Sequence, residues 1–299
     1  MIFDATANLV VGNMGWVDKG ALWAFDPVRC AETTITVEGA QYLSLRAGAK
    51  GLFRLVHHRS PNQTISIRSV ARPDVELASV EMVRSEPNFI GDLSFWQHVD
   101  PAAIIATERG QRLVLIDAGR QRVVDLELAL YSNGNYDLGY QGLTDCMTIG
   151  REHVIVSVQR SSELVVIDLD RNARVGAIPL AGRGGNPMLS KRTQRDFLAS
   201  DYDTLCRVDA QSLKALNCRR LQEGSAMNSR QFIGDYDLGW DSCVVARPFS
   251  GDVLRLDSES FDEIGGTSVS GQPLAICSIS NTQVVTRDWK SGRAAVSEL

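Results

Sequence analysis

Apolar and polar positions alternate along this chain in short runs broken by Gly, Asp, Asn and Ser, and no segment carries an apolar stripe at helical spacing. The segment 155–168 reads Ile-Val-Ser-Val-Gln-Arg-Ser-Ser-Glu-Leu-Val-Val-Ile-Asp. Without a gap, 104–117 reads Ile-Ile-Ala-Thr-Glu-Arg-Gly-Gln-Arg-Leu-Val-Leu-Ile-Asp, and 244–257 reads Val-Val-Ala-Arg-Pro-Phe-Ser-Gly-Asp-Val-Leu-Arg-Leu-Asp. Each predicts a strand, a polar turn and a second strand closing on Asp. Helix content should be small.

Weaker copies follow the same plan. Phe197–Ser200 precedes Leu205–Asp209, Leu55–His58 precedes Ile65–Arg68, Val10–Gly12 precedes Leu22–Asp26, and Val284–Arg287 precedes Ala294–Ser297. The seven pairs are anchored at positions 26, 68, 117, 168, 209, 257 and 297, with intervals of 42, 49, 51, 41, 48 and 40 residues. That period is the length of a four-stranded propeller blade. Inner strands are expected at Tyr42–Leu45, Cys146–Ile149 and Ala275–Ile279, and outer strands at Thr33–Val37, Val75–Val80 and Val175–Leu180. Phe89-Ile90-Gly91-Asp92 recurs as Phe232-Ile233-Gly234-Asp235, and Tyr136–Tyr140 recurs as Tyr236–Trp240. One four-stranded sheet cannot bury both faces, whereas seven around an axis can. The expectation is an all-β, seven-bladed propeller forming a single domain over 1–299.

A strand, a polar turn, x-Val-x-Val-Ile-Asp and an outer strand, best seen in Val165–Asp168 followed by Val175–Leu180, resembles the YVTN-type seven-bladed propellers. The resemblance covers the chain as architecture, with the third, fourth and sixth repeats matching well. The Trp-Asp dipeptide repeats of WD40 blades and the Gly-Gly and aromatic spacing of kelch blades are missing. Propellers of this type include interaction scaffolds and unrelated enzymes, so the fold leaves function open.

The first residues align with the start of the last repeat, so the N-terminal segment is expected to supply the inner strand of blade one. Blade seven is then left with three strands, or with an outer edge covered by something else. An unpaired edge invites another chain, and a dimer through it is expected.

Composition alters this picture little. With 44% hydrophobic residues, 22% charged residues and a net charge of -5, the chain reads as an ordinary soluble protein. No surplus of Lys and Arg marks a nucleic-acid partner. No apolar run is long enough to span a membrane, and no basic start followed by an apolar stretch marks a signal peptide, so a cytoplasmic location is expected. None of the six cysteines forms a Cys-x-x-Cys pair, so no zinc site is expected. Cys206 and Cys218 flank a turn at Asp209–Ser212 and could face each other. The reading adopted is six reduced thiols acting as small apolar groups.

Residues closing the second strand of each repeat should gather at the channel mouth. That column holds Arg109, Arg160, Tyr202, Phe249, Trp289 and Ser60, with His57, His58, Arg247, Arg287 and Asp288 just before it. Arg and aromatic side chains dominate protein-recognition hot spots. The binding set is therefore His57, Arg109, Arg160, Tyr202, Arg247, Phe249, Arg287 and Trp289. His57 and His58 point to opposite faces of a strand, which excludes a two-His metal grip but leaves either as an acid or base. Asp201-Tyr202-Asp203 and Asp235-Tyr236-Asp237 read as loop carboxylates, turn formers before Ca²⁺ ligands. Gly182–Pro187 opens no helix, and no Gly-x-Ser-x-Gly elbow is present.

The expected function is therefore a non-catalytic propeller that binds a protein or peptide at its rim, with no cofactor and no metal. The alternative is a lactonase or lyase acting at the channel with a divalent metal or a His/carboxylate pair. The Trp-Phe-Thr-Glu-like repeats of virginiamycin B lyase-like propellers do not occur.

Overall fold

The computed structural model describes residues 1–5, 7–13, 21–36, 42–44, 52–58, 63–69, 72–82, 98–100, 103–108, 112–117, 120–125, 143–149, 152–158, 161–182, 188–193, 195–221, 232–238 and 242–299. Among them every regular element is a strand, and the strands form seven separate antiparallel sheets. The first holds β1 (Ile2–Asp4), β2 (Leu9–Asn13), β3 (Ala21–Asp26) and β4 (Ala31–Thr36). The second holds β5 (Tyr42–Ser44), β6 (Leu52–His58), β7 (Gln63–Ser69) and β8 (Arg72–Met82), and the third β9 (His98–Asp100), β10 (Ala103–Glu108), β11 (Arg112–Asp117) and β12 (Arg120–Asp125). The fourth holds β13 (Leu143–Ile149), β14 (His153–Val158), β15 (Glu163–Asp168) and β16 (Ala173–Pro179), and the fifth β17 (Leu189–Lys191), β18 (Asp196–Asp201), β19 (Thr204–Asp209) and β20 (Lys214–Arg220). The sixth holds β21 (Asp235–Leu238), β22 (Ser242–Arg247), β23 (Asp252–Asp257) and β24 (Glu263–Ser268). The seventh has three strands, β25 (Pro273–Ser278), β26 (Gln283–Asp288) and β27 (Ala294–Glu298).

In each sheet the strands pair in chain order, so the hydrophobic pairs read from the sequence become second and third strands. β1 does pair with β2, Ile2 opposite Val11 and Asp4 opposite Leu9. The echo segments 89–92 and 136–140 lie outside the described residues.

The recurrent Asp that ends the third strand has one structural job. Asp26 Oδ1 accepts the backbone N–H groups of Val28 and Arg29 at 2.9 and 3.0 Å. Asp168 does the same for Asp170 and Arg171, Asp209 for Gln211 and Ser212, and Asp257 for Glu259 and Ser260. Four residues after each Asp the backbone enters the left-handed region: Cys30 at φ 50°, Asn172 at 53°, Leu213 at 54° and Phe261 at 63°. One carboxylate thus replaces the ladder bonds that the chain loses as it reverses. These backbone bonds hold the Asp168, Asp209 and Asp257 carboxyls below the usual carboxylate range.

Packing follows from the alternation of the strands. Two compact units are present. One comprises Met1–Ile90, Gly234–Leu256 and Glu263–Leu299, and the other Gly91–Ile233 with Asp257–Asp262. In the first unit, Val10, Trp23 and Phe25 of the first sheet bury against Cys277 and Val285 of the seventh. Val244, Ala246 and Val253 of the sixth sheet meet Ile276 and Val284 of the seventh. In the second unit, Ile155, Leu164, Val166 and Ile178 meet Phe197, Ala199, Cys206 and Val208. Each cluster is two sheets packed face to face, the arrangement that lets a half-apolar sheet exclude water. Truncating Phe25 or Phe197 to Ala would cost about 3–5 kcal/mol each.

Two expectations are corrected. Cys206 and Cys218 form a disulfide instead of remaining thiols, with Cα atoms 4.1 Å apart. Counted straight from the turn, where Asp209 faces Lys214, Cys206 would meet Asn217. A register shift between Arg207 and Val208 moves Cys218 opposite Cys206 instead. Cys30, Cys243 and Cys277 are free, the last two buried, and burial pushes both buried thiols up.

The second correction concerns Asp235 and Asp237. They lie in strand β21, not in a loop. Asp235 Oδ2 accepts the Ile276 N–H at 3.1 Å and Asp237 Oδ2 the Ser278 N–H at 2.7 Å. Acceptors at i and i+2 meet donors at i and i+2, so the two carboxylates dock β25 alongside β21. Burial pushes the Asp237 carboxyl upward.

Candidate functional site

The turn joining β22 to β23 is built around a planar fork. Arg247 Nε donates to Asp252 Oδ1 at 2.8 Å and Nη2 to Oδ2 at 2.5 Å, closing the turn at its base. Gly251, at φ 68°, returns its N–H to the Arg247 carbonyl at 3.0 Å. Behind the turn, Pro248 is buried against Gly234. A Cβ on Gly234 would lie 2.7 Å from the proline ring and 2.9 Å from the Pro273 carbonyl. Only glycine fits there, and Phe249 is left at the tip.

The β26–β27 turn has a different base. Asp288 accepts the Gln272 N–H at 2.5 Å, the Ser291 N–H at 2.7 Å and the Ser291 hydroxyl at 2.7 Å. These donors hold its carboxyl at about 2, the Gln272 N–H contributing most. The Trp289 N–H donates to the Gln272 carbonyl at 2.8 Å, so both residues before the tip are tied to the same neighbour. Trp289 is 51% exposed. Its ring meets Phe249 edge-on, centroids 6.1 Å apart and planes at 89°. Two turns from adjacent sheets thus present one aromatic ridge.

Arg287 packs back against the first sheet. Its guanidinium lies 4.9 Å from the centre of the buried Trp23 ring, and its Nε donates to the Gly292 carbonyl at 2.9 Å. Burial lowers its affinity for a proton, with Glu32 opposing. Arg247 and Arg287 therefore stiffen the two turns, with Trp289 exposed and Phe249 half-buried beside it.

Tyr202 belongs to the other compact unit, in the β18–β19 turn, at φ 55°. Its ring lies 6.3 Å from Phe232 and its carbonyl accepts the Ile233 N–H at 2.7 Å. The flanking carboxylates are structural: Asp203 Oδ2 accepts from Arg220 Nε at 2.6 Å, and a Cβ on Gly182 would collide with Asp201. Of the other predicted positions, His57 lies in β6 opposite Thr64, its side chain outside the described residues. Arg109 and Arg160 also lie outside them, as does most of the Gly182–Pro187 segment.

The sequence reading missed Gln272, Ser291, Asp252 and Phe232. The Asp-x-x-Ser spacing of 288–291 is a turn-capping signal that could have located the second turn base. Gln272 carries no such mark because its partner Asp288 lies 16 residues on, at the end of the adjacent strand, and Phe232 carries none because it meets Tyr202 of a neighbouring sheet.

No protein-family model matches the chain, and no curated protein matches it. Solved structures do. The chain is similar to BamB from Moraxella catarrhalis, at 12% identity and TM-score 0.56, over 99% of this chain and 83% of that one. It is similar to the Cps50 (Swd1) β-propeller domain of Myceliophteria thermophila, at 11% identity and TM-score 0.63, over 99% and 95%. A chain of the Mitotic Checkpoint Complex matches at 6% identity and TM-score 0.63, over 100% and 86%. Identities this low carry the fold alone, and with the antiparallel four-stranded sheets they give this chain the architecture of a β-propeller.

Proposed function

We propose that the chain is a single closed domain, a seven-bladed propeller of YVTN-like repeats, that binds a protein or peptide partner through the rim at its channel mouth without catalysing a reaction. The observation that carries this reading is the Phe249–Trp289 ridge, exposed at its tip and held rigidly at both bases. A large aromatic surface that is already ordered gains contact area on binding with little entropy to lose. His57, Arg109, Arg160 and Tyr202 extend the same rim in this reading. The packing of the first sheet on the seventh supports ring closure. The likeness to a chain of a checkpoint complex, a protein assembly by its name, favours a protein partner. Neither a nucleic-acid nor a membrane partner is part of the proposal.

The reading also assigns the outer edge of β27 to pairing with a second copy. Asp288 donates to the Arg293 carbonyl and Leu299 to that of Thr282, which by alternation turns the Ala294, Val296 and Glu298 N–H groups away from β26.

Immobilised full-length protein should retain specific partners from a lysate of the source cells. Trp289→Ala and Phe249→Ala should lose them at unchanged melting temperature. Identical recovery by wild type and both variants would sink the rim proposal.

A further inference from the structure

A cavity of about 560 Å³ opens between β16 and the β19–β20 turn, both within the second compact unit. Tyr202 lies at the opposite end of β19, whose six residues span roughly 17 Å. The volume falls in the range of ligand clefts. Apart from Ser212 and Lys214 the lining is apolar, with Val166 buried, Leu213 half-buried and the remainder exposed, so the space is an open groove.

Three features say what fits. First, Gly176 leaves the middle of β16 bare: a Cβ there would meet nothing within 4 Å. Side-chain space exists that this chain does not fill. Second, the Leu180 N–H bonds the Ser162 carbonyl, so the alternation of the ladder turns the Ala177 N–H and C=O away from β15. That edge is short. Pro179 contributes no N–H, and the register shifts between Val166 and Ile167. A long added strand is therefore blocked, while a short extended segment can make one pair of backbone bonds at Ala177. Third, Lys214 at the lip is exposed and has no carboxylate partner among the described residues.

We propose that this groove binds a short extended peptide in which an aliphatic side chain is followed closely by a carboxylate. The aliphatic group occupies the space beside Gly176, the peptide backbone bonds Ala177, and the carboxylate meets Lys214. Recognition at this groove is independent of recognition at the rim.

The test uses the whole chain and the peptide Gly-Leu-Leu-Asp-Gly amide carrying fluorescein on its N-terminal amine, read by fluorescence anisotropy. Saturable binding is expected, and the same peptide with Asn for Asp should bind about fivefold weaker. Lys214→Gln should abolish that difference between the two peptides. Gly176→Leu, which fills the groove where a side chain has room, should weaken binding at least about tenfold with an unchanged melting temperature. Trp289→Ala should leave it unchanged. The proposal is overturned by an absence of saturable binding to wild type, by equal affinity for both peptides, by full binding to Gly176→Leu, or by loss of binding on Trp289→Ala, which would move the peptide to the rim. Because each variant touches one feature, failure at the groove leaves the rim proposal standing.

Discussion

Ala294 in the last strand donates its backbone N–H to the Glu32 carboxylate, 2.9 Å away and 262 residues earlier in the chain. The bond ties the outer strand of the first sheet to the open edge of the seventh. It occupies one of three outward donors on β27, leaving those of Val296 and Glu298. Glu32 is exposed, so the contact adds little stability. Its effect is to keep part of an edge from pairing elsewhere.

Glu32→Ala should therefore change stability by no more than about 0.5 kcal/mol yet tighten self-association. Sedimentation equilibrium over a range of concentrations would register this. A variant no more self-associated than wild type would show that the edge is not a pairing surface.

Asp237 offers a sharper separation of charge from hydrogen bonding. Its carboxylate accepts the Ser278 N–H, and burial opposes its ionisation. Asp237→Asn keeps an acceptor and removes the buried charge, so stability should be unchanged or higher. Asp237→Ala strands the Ser278 N–H and should cost about 1–3 kcal/mol. The urea midpoint of Asp237→Asn should equal or exceed that of the wild type, and that of Asp237→Ala should fall below it.

Cys206 and Cys218 close a loop with a sequence separation of 12. Reduction, or Cys218→Ser, should lower stability by about 2–3 kcal/mol. Thiol labelling of unfolded, unreduced protein should leave these two cysteines unmodified. Labelling at both would remove the bond from the account.

Asp288 sets a pH dependence whose direction follows from its donors. Its folded carboxyl titrates at about 2, below its ordinary value near 3.8. The stabilisation is complete above the ordinary value and is lost as the pH falls through the folded one. Between about pH 4 and pH 2 the wild type should lose stability relative to Asp288→Asn, measured by melting temperature at each pH. Parallel curves would deny Asp288 this role.

What the sequence disclosed, and what it withheld, divides along a physical line. The pair 155–168 was legible because Val and Ile alternate over a buried strand and Asp ends it, all within fourteen neighbours. The disulfide was not, since one extra residue in β20 changes every pairing beyond it. Asp235 and Asp237 looked like turn formers because their true partners, the Ile276 and Ser278 amides, belong to another sheet. Phe249 and Trp289 of the rim column lie in the turns that follow β22 and β26. What the column could not give is that Arg247 forks onto Asp252 and that Arg287 covers Trp23. Local patterns reveal strands and turns; interactions between sheets need the fold itself.

The Asp288 cap has a kinetic reading. A turn fixed by Gln272 and Ser291 before any encounter has no rearrangement to complete on contact. Loosening it with Asp288→Ala would make Trp289 sample many orientations, of which few are competent, and would slow capture. Under the proposed rim binding, trimming the Trp289 ring would instead shorten the lifetime of the complex, and the two halves of one turn would govern arrival and departure separately.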